Sequence, residues 1–292
     1  MKQEKSFLPL RETLHPKTFL CEGKTKIIWA TEDPNIVLIE NKDDITAGDG
    51  ARRNKIPGKG TLATTTTENV FTLLNREGIR THFVDRYTDN MLVAKKALMI
   101  PVESVARRKA FGSYLKRSPE IQKGTRFPQI EHEFFYKDDQ LHDPLMVLEG
   151  NMWHFYDSQG AIKTNIPIRS KERETMGITH DEVTQMQIMT REVFIVLEEA
   201  WQKLDVELVD LKIEFGRDNK GNLMVADVID NDSWRIWLNG DENQDLSKQN
   251  YRNLPNPSEE DLERIRRMYA QVAKLTSHFY HNLYPNEIPF NR

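Results

Sequence analysis

The residues best placed to do chemistry lie on two short apolar runs separated by a turn. Val209-Asp210-Leu211-Lys212-Ile213-Glu214-Phe215 and Leu223-Met224-Val225-Ala226-Asp227-Val228-Ile229 flank Asn219-Lys220-Gly221-Asn222, the composition of a β-hairpin whose glycine tolerates the positive φ of a tight turn. A two-residue loop at Lys220-Gly221 sets a register that pairs Glu214 with Asp227 across the strands. Like charges directly opposite each other are destabilising unless a cation lies between them. Magnesium on nucleotide phosphates suits such a pair, because it takes one or two protein carboxylates and fills its other positions with phosphate and water oxygens. Alternation also puts Asp210, Lys212 and Glu214 on one face and Leu211, Ile213 and Phe215 on the other. The competing reading is a solvent-facing strand with merely hydrated charges, and a β-bulge would undo the pairing, since a one-residue slip reverses the faces.

A second pair, Lys24 and Lys26, follows Gly23 at a spacing of two. On a strand both ammoniums project to one side, as a phosphate contact requires; the alternative is an edge strand carrying lysine against aggregation. Other chemistries are unsupported. Gly48-Asp49-Gly50-Ala51-Arg52 has neither Walker nor dinucleotide spacing and reads as a flexible loop over substrate. His278 and His281 stand three apart without further ligands, which argues against zinc. Cys21 has no identifiable base, and no Gly-x-Ser-x-Gly elbow occurs.

These residues need a scaffold, and 292 of them can bury a substantial core. Short apolar runs at Lys26 to Ala30, Ile36 to Glu40, His82 to Arg86 and Met91 to Lys95 read as strands, with a helix through Val70, Phe71, Leu73 and Leu74 ending at Gly78. Gly124 to Thr179 reads as irregular, with a hairpin around Ser158-Gln159-Gly160. Thr179 and Glu182 have capping-box spacing before a stripe of Val183, Met186, Met189, Val193, Leu197, Ala200, Trp201 and Leu204. A last amphipathic helix opens near Ser258 and carries Leu262, Ile265, Met268, Tyr269, Val272, Leu275 and Phe279. Mixed strands and helices without regular β-α-β alternation predict an α+β fold.

A charged fraction of 29% at a net charge of -4, with no long single-sign block, argues against nucleic acid as a partner. The lone Cys21, a polar start and the lack of any apolar stretch near the roughly 20 residues of a spanning helix predict a cytoplasmic chain with no membrane partner.

In order along the chain stand Glu22-Gly23-Lys24-Thr25-Lys26, Asp44-Ile45-Thr46-Ala47-Gly48-Asp49-Gly50-Ala51-Arg52, and Pro101-Val102-Glu103-Ser104-Val105-Ala106-Arg107-Arg108 running on to Phe111-Gly112-Ser113. His142-Asp143-Pro144, Lys212-Ile213-Glu214-Phe215-Gly216, and Ala226-Asp227-Val228-Ile229-Asp230 through Ser233-Trp234-Arg235 follow. Together these resemble the SAICAR synthetases, the phosphoribosylaminoimidazole-succinocarboxamide synthases. The resemblance implies a two-lobed fold related to ATP-grasp enzymes and protein kinases: a β-rich ATP-binding lobe over residues 1–99 and an α+β substrate- and metal-binding lobe over 100–292. It implies ATP and Mg2+ as cofactors, carboxyaminoimidazole ribotide (CAIR) and L-aspartate as substrates, and a homodimer. Lys24, Lys26, Met99, Glu214 and Asp227 would meet ATP, Glu214 and Asp227 the metal, and Arg107, Ser113, Asp143, Arg235 and Arg252 the ribotide. Lys212 would act electrostatically in catalysis, with Asp210 orienting it or acting as a base. A buried methionine is the alternative at Met99, and a turn acid before Pro144 at Asp143. Gly150 to Thr179 departs from the compact bacterial pattern, Lys248 stands in a diverged motif, and Asp230 to Arg235 is closer to the animal form. The end at Arg292 predicts no fused carboxylase. A kinase is the competing enzyme class, but no His-Arg-Asp loop or Asp-Phe-Gly is present; a non-catalytic nucleotide-binding module is the other alternative.

Overall fold

A computed structural model describes residues 14–48, 50–160 and 166–279; Asp49 and His281 fall outside them. The fold is mixed α+β, as expected. Two antiparallel sheets organise it. Strands β1 (Thr18–Glu22), β2 (Lys26–Ala30), β3 (Ile36–Asn41), β6 (Phe83–Thr88) and β7 (Met91–Lys95) form the first, in the order β1-β2-β3-β7-β6. Between β3 and β6 come a separate β4–β5 hairpin (Asp44–Ala47, Arg52–Lys55) and helix α1 (Lys59–Arg76), which ends before Gly78 at φ 80°. The strands and helix expected in this half are all present, within a residue or two at their ends.

The second sheet starts with β8 (Leu98–Lys109). After a short helix α2 (Ser113–Arg117) it continues through β9 (Arg126–Tyr136), β10 (Leu145–Glu149), β11 (Met152–Tyr156) and β12 (Arg169–Glu172). Helix α3 (His180–Gln202) leads into the long β13 (Val206–Arg217), β14 (Leu223–Ala226) and β15 (Trp234–Leu238), and α4 (Gln249–Arg252) and α5 (Glu259–Thr276) close the described chain. The order is β12-β11-β10-β9-β8-β13-β14, with β15 also on β13. Four strands, β9 to β12, therefore fall between Gly124 and Thr179, contrary to expectation. Its turns and aromatic residues masked alternation that the buried Phe134, Trp153 and Phe155 now reveal. The tight turn falls at Gly150-Asn151, between Glu149 and Met152, and Ser158 to Gly160 form a turn within the longer β11 to β12 connection.

Helices α3 and α5 begin where capping chemistry predicts. Thr179 and Glu182 complete a reciprocal capping box at α3, as Ser258 and Asp261 do at α5. Along α3, Val183, Met186, Val193, Leu197, Ala200 and Trp201 are buried in the main core with Leu211, Ile213 and Phe215 of β13. The apolar face of β13 is thus consumed by packing, which leaves its other face to the charged residues.

Strand β13 has one further property that matters. From Asp210 to Arg217 it pairs with β8 on one side, but on the other its first half pairs with β15 and its last four residues with β14. Residues 227–233 leave the sheet where the partners change, and only the Lys212 N–H to Ser233 carbonyl bond (2.7 Å) bridges the gap.

Candidate active site

The register of the hairpin differs from the expected one. Glu214 pairs with Ala226, and Arg217 with Leu223, so the loop runs over residues 218–222 rather than two residues. Asp218 explains the longer loop: its Oδ1 accepts from the backbone N–H groups of Lys220 (2.9 Å) and Asn222 (2.8 Å), an Asx-type closure that replaces a two-residue turn. Asp227 stands just beyond β14 with φ 63°, a left-handed conformation rare outside glycine. His82 braces it, its ring Nε2 lying 2.7 Å from the Asp227 carbonyl oxygen. Burial holds this imidazole down to about 4, so it is neutral, and the contact makes Nε2 the protonated nitrogen that donates.

Asp227 forms an ion pair with Lys26, and Glu214, 5% exposed, accepts from Lys137 at 2.6 Å and lies 3.7 Å from Lys212. Lys212 in turn donates to Glu103 at 2.6 Å. Desolvation pulls the Lys212 ammonium down, but Glu103 and Glu214 beside it outweigh that and raise it well above the ordinary lysine value. Lys26 is raised in the same way, desolvation being outweighed by Asp227 and more weakly by Glu214 and Asp230. Both lysines are therefore fixed cations rather than bases. Asp227 is desolvated too, yet Lys26, Lys137 and Lys212 hold it below the usual carboxylate range. Charge balance across Glu103, Glu214 and Asp227 is thus supplied by three ammoniums.

Among the described residues no three His, Cys, Asp or Glu side chains group as a metal cage. Two carboxylates beside a lysine-lined surface nonetheless fit magnesium, which needs few protein oxygens when phosphates supply the rest.

Two residues before Lys212 on β13, Asp210 pairs in register with Arg107 of β8 on one side and Arg235 of β15 on the other. Its Oδ2 accepts from Arg107 Nη1 at 2.9 Å and Arg235 Nη1 at 2.6 Å. Asp210 therefore orients the two arginines, while Glu103 does that for Lys212. Gly112, at φ 62°, lets Arg235 lie close: a Cβ there would stand 3.0 Å from Nη2. Ser113 follows as the first residue of α2.

The remaining expected residues are more peripheral. Lys24 precedes β2 instead of lying on it, so alternation with Lys26 does not apply; it is exposed and meets Asp139 at 3.1 Å. Met99 is 40% exposed, not buried, and lies opposite Gly216, where a Cβ would meet the Ala97 side chain at 2.8 Å. Asp143 serves the turn before it, its Oδ1 accepting from the Asp138 N–H at 2.9 Å. Arg252 ends α4 with an exposed side chain, and its carbonyl accepts from Arg52 of the β4–β5 hairpin at 3.1 Å. Lys248 pairs with half-buried Asp232 at 2.6 Å, and Asp232 also accepts from Tyr269. Sequence reasoning missed Glu103, Lys137 and His82 as parts of the site. Glu103 sat inside a recognised motif and alternates with Arg107, a usable signal; Lys137 and His82 carry none locally.

Along one strand face, then, the chain sets an arginine pair, a lysine, and a carboxylate cluster ringed by ammoniums. That arrangement suits an enzyme that brings a metal-bound polyphosphate to an anionic acceptor. The SAICAR synthetase family model matches residues 19–269, and the chain belongs to that family. It is 49% identical over 258 residues to the phosphoribosylaminoimidazole-succinocarboxamide synthase of Roseiflexus sp. (strain RS-1), covering 88% of this chain and 95% of that protein. The crystal structure of the Ehrlichia chaffeensis enzyme of the same name superposes with a TM-score of 0.73 at 31% identity, over 89% of this chain and 98% of that one. A type-2 SAICAR synthetase in complex with ADP gives a TM-score of 0.72 at 28% identity, over 94% and 100%. Among the described residues, no helix is long and apolar enough to cross a membrane.

Proposed function

We propose that the chain joins L-aspartate to the 4-carboxylate of CAIR at the expense of ATP, giving SAICAR, ADP and phosphate in purine biosynthesis in the cytoplasm. The observation that carries this reading is the linear order on β13: Asp210 between Arg107 and Arg235, then Lys212, then Glu214 beside Asp227. A carboxylate is a poor electrophile until activated, so the ribotide carboxylate first attacks the γ-phosphorus, and the aspartate amine then displaces phosphate from the acyl phosphate. Arg107 and Arg235 bind the anionic ribotide with planar forks, with Ser113, Asp143 and Arg252 bordering it. Lys212, a permanent cation between the two ends, stabilises charge that develops on the transferring group, and Lys26 and Lys24 face the phosphates. Met99 borders the adenine. Glu214 and Asp227 would hold Mg2+, whose chemistry is to neutralise phosphate charge and fix its geometry.

The boundary between an ATP-binding lobe (1–99) and a substrate lobe (100–292) belongs to the same proposal, supported by the division of the two sheets between residues 18–95 and 98–238. So does a homodimer, which a monomer mass across working concentrations in light scattering would overturn. The test of function is ADP release with Mg-ATP, CAIR and L-aspartate, with each omitted in turn and the product identified by mass. Turnover that needs all three and yields the succinocarboxamide supports the ligase; ATP consumption without aspartate points to a kinase instead.

A further inference from the structure

Arg107 and Arg235 do not stand alone, and the groups behind them are not explained by the chemistry above. Arg107 Nε donates to Glu133 Oε2 at 2.7 Å, a diagonal contact from β8 to β9. The other oxygen of Glu133 accepts from Arg117, whose Nε lies 3.0 Å away. Arg117 is 2% exposed, lies over the Phe135 ring at 5.0 Å, and donates from Nη1 to the Ser158 carbonyl at 2.8 Å. Three arginines and two acids therefore alternate in one chain of hydrogen bonds: Arg117, Glu133, Arg107, Asp210, Arg235. Desolvation pushes Glu133 up, but Arg107 and Arg117 outweigh it and keep it ionised.

We infer that Glu133 and Arg117 are positioning residues that set the orientation of Arg107 toward the ribotide; this rests on the ligase reading above. With Nε held by Glu133 and Nη1 by Asp210, the guanidinium plane is fixed at two corners, and Nη2 is the corner with no partner among the described residues. An arginine held at one corner only can rotate about that bond, and bidentate anion recognition loses its geometry. Burial of Arg117 makes sense on this account. A buried ion is costly unless paired and hydrogen-bonded, and here Arg117 fixes Glu133 and ties it to the turn at Ser158. The turn between β11 and β12 is thereby coupled mechanically to substrate binding.

The experiment compares Glu133→Gln and Arg117→Lys with the wild type, reading KM separately for CAIR, ATP and aspartate, kcat, and thermal melting. Glu133→Gln keeps the shape and removes the charge; it is expected to raise KM for CAIR about tenfold or more, with KM for ATP within about twofold. Arg117→Lys keeps the charge but loses the fork, and a smaller change of the same kind is expected. A double-mutant cycle with Arg107→Met, read as kcat/KM for CAIR, supplies the decisive arm: if Glu133 acts through Arg107, its substitution adds little once Arg107 is gone. Loss of active protein with unmoved KM values, or additive effects in the cycle, overturns the inference and leaves Glu133 a folding residue. Failure of the wild type to make SAICAR would instead remove the ligase reading.

Discussion

Glu214 is paired with Ala226 rather than Asp227, yet Glu214 and Asp227 share the same ammoniums, because Asp227 turns out of its strand with φ 63°. Lys26 and Lys212 feel both acids, and Lys137 donates to Glu214 while lowering Asp227. The two carboxylates are convergent without being cross-strand partners.

Removing either carboxylate should stop turnover. Glu214→Ala and Asp227→Ala are each expected to leave far-ultraviolet circular dichroism unchanged and to abolish ADP release at any magnesium concentration. Near-normal activity in both variants would sink the metal assignment.

Lys212→Met should lower kcat by about a hundredfold to a thousandfold, the scale seen when a preorganised charge-stabilising donor is deleted, while KM for CAIR changes far less. Because Lys212 is held protonated by Glu103 and Glu214, its ionisation should not appear in the pH profile of kcat below about pH 10. A basic limb near neutrality that vanishes in Lys212→Met would contradict its role as a fixed cation.

Gly112→Ala tests the close approach to Arg235. The backbone at φ 62° strains any side chain by about 1 to 3 kcal/mol, and the added methyl meets the guanidinium. Initial-rate kinetics should show weaker use of CAIR with little change in KM for ATP. Equal loss for both substrates would mean a general disturbance of the fold.

Stability should fall on mild acidification, and His132 is one cause. Its Nε2 lies 2.8 Å from Ser104 Oγ, and burial, with Arg191 nearby, holds the imidazole down to about 4, Glu133 opposing only in part. The unfolded chain takes up this proton near pH 6.5 and the folded chain only near 4, so stability is lost as pH falls through that window, by roughly 3 kcal/mol in full. Chemical denaturation at pH 7, 5.5 and 4.5 measures it, and His132→Gln should flatten the slope. An unchanged slope in that variant would place the titration elsewhere.

What could be read from residues alone depended on how local the determinants are. Thr179 and Glu182 are three apart, and their capping box forms as expected. The alternation of Asp210, Lys212 and Glu214 needs one strand, and it holds. The partner register was misread because Asp218 closes a longer loop than Lys220-Gly221 suggests, a competition between turn types invisible to spacing. Lys137 and His82 reach the site from 77 and 145 residues away, across sheet pairings that no local pattern encodes. The strands between Gly124 and Thr179 were obscured by proline and aspartate at their edges.

The change of partner along β13 also works as a ruler. Asp210 and Glu214 lie on the same face of one continuous strand, so the separation between the arginine pair and the carboxylate cluster is set by covalent geometry, at about 7 Å for each two residues. No hinge lies within that span. Insertions and deletions inside β13 should therefore be purged by selection, since a single residue would both change the distance and turn half the charged face into the core. The loop at 218–222 lies outside that covalent span and carries none of the site residues, so it is where lineages are free to drift in length. Comparative sequencing of relatives would then show an invariant spacing from Asp210 to Glu214 beside a loop of variable size.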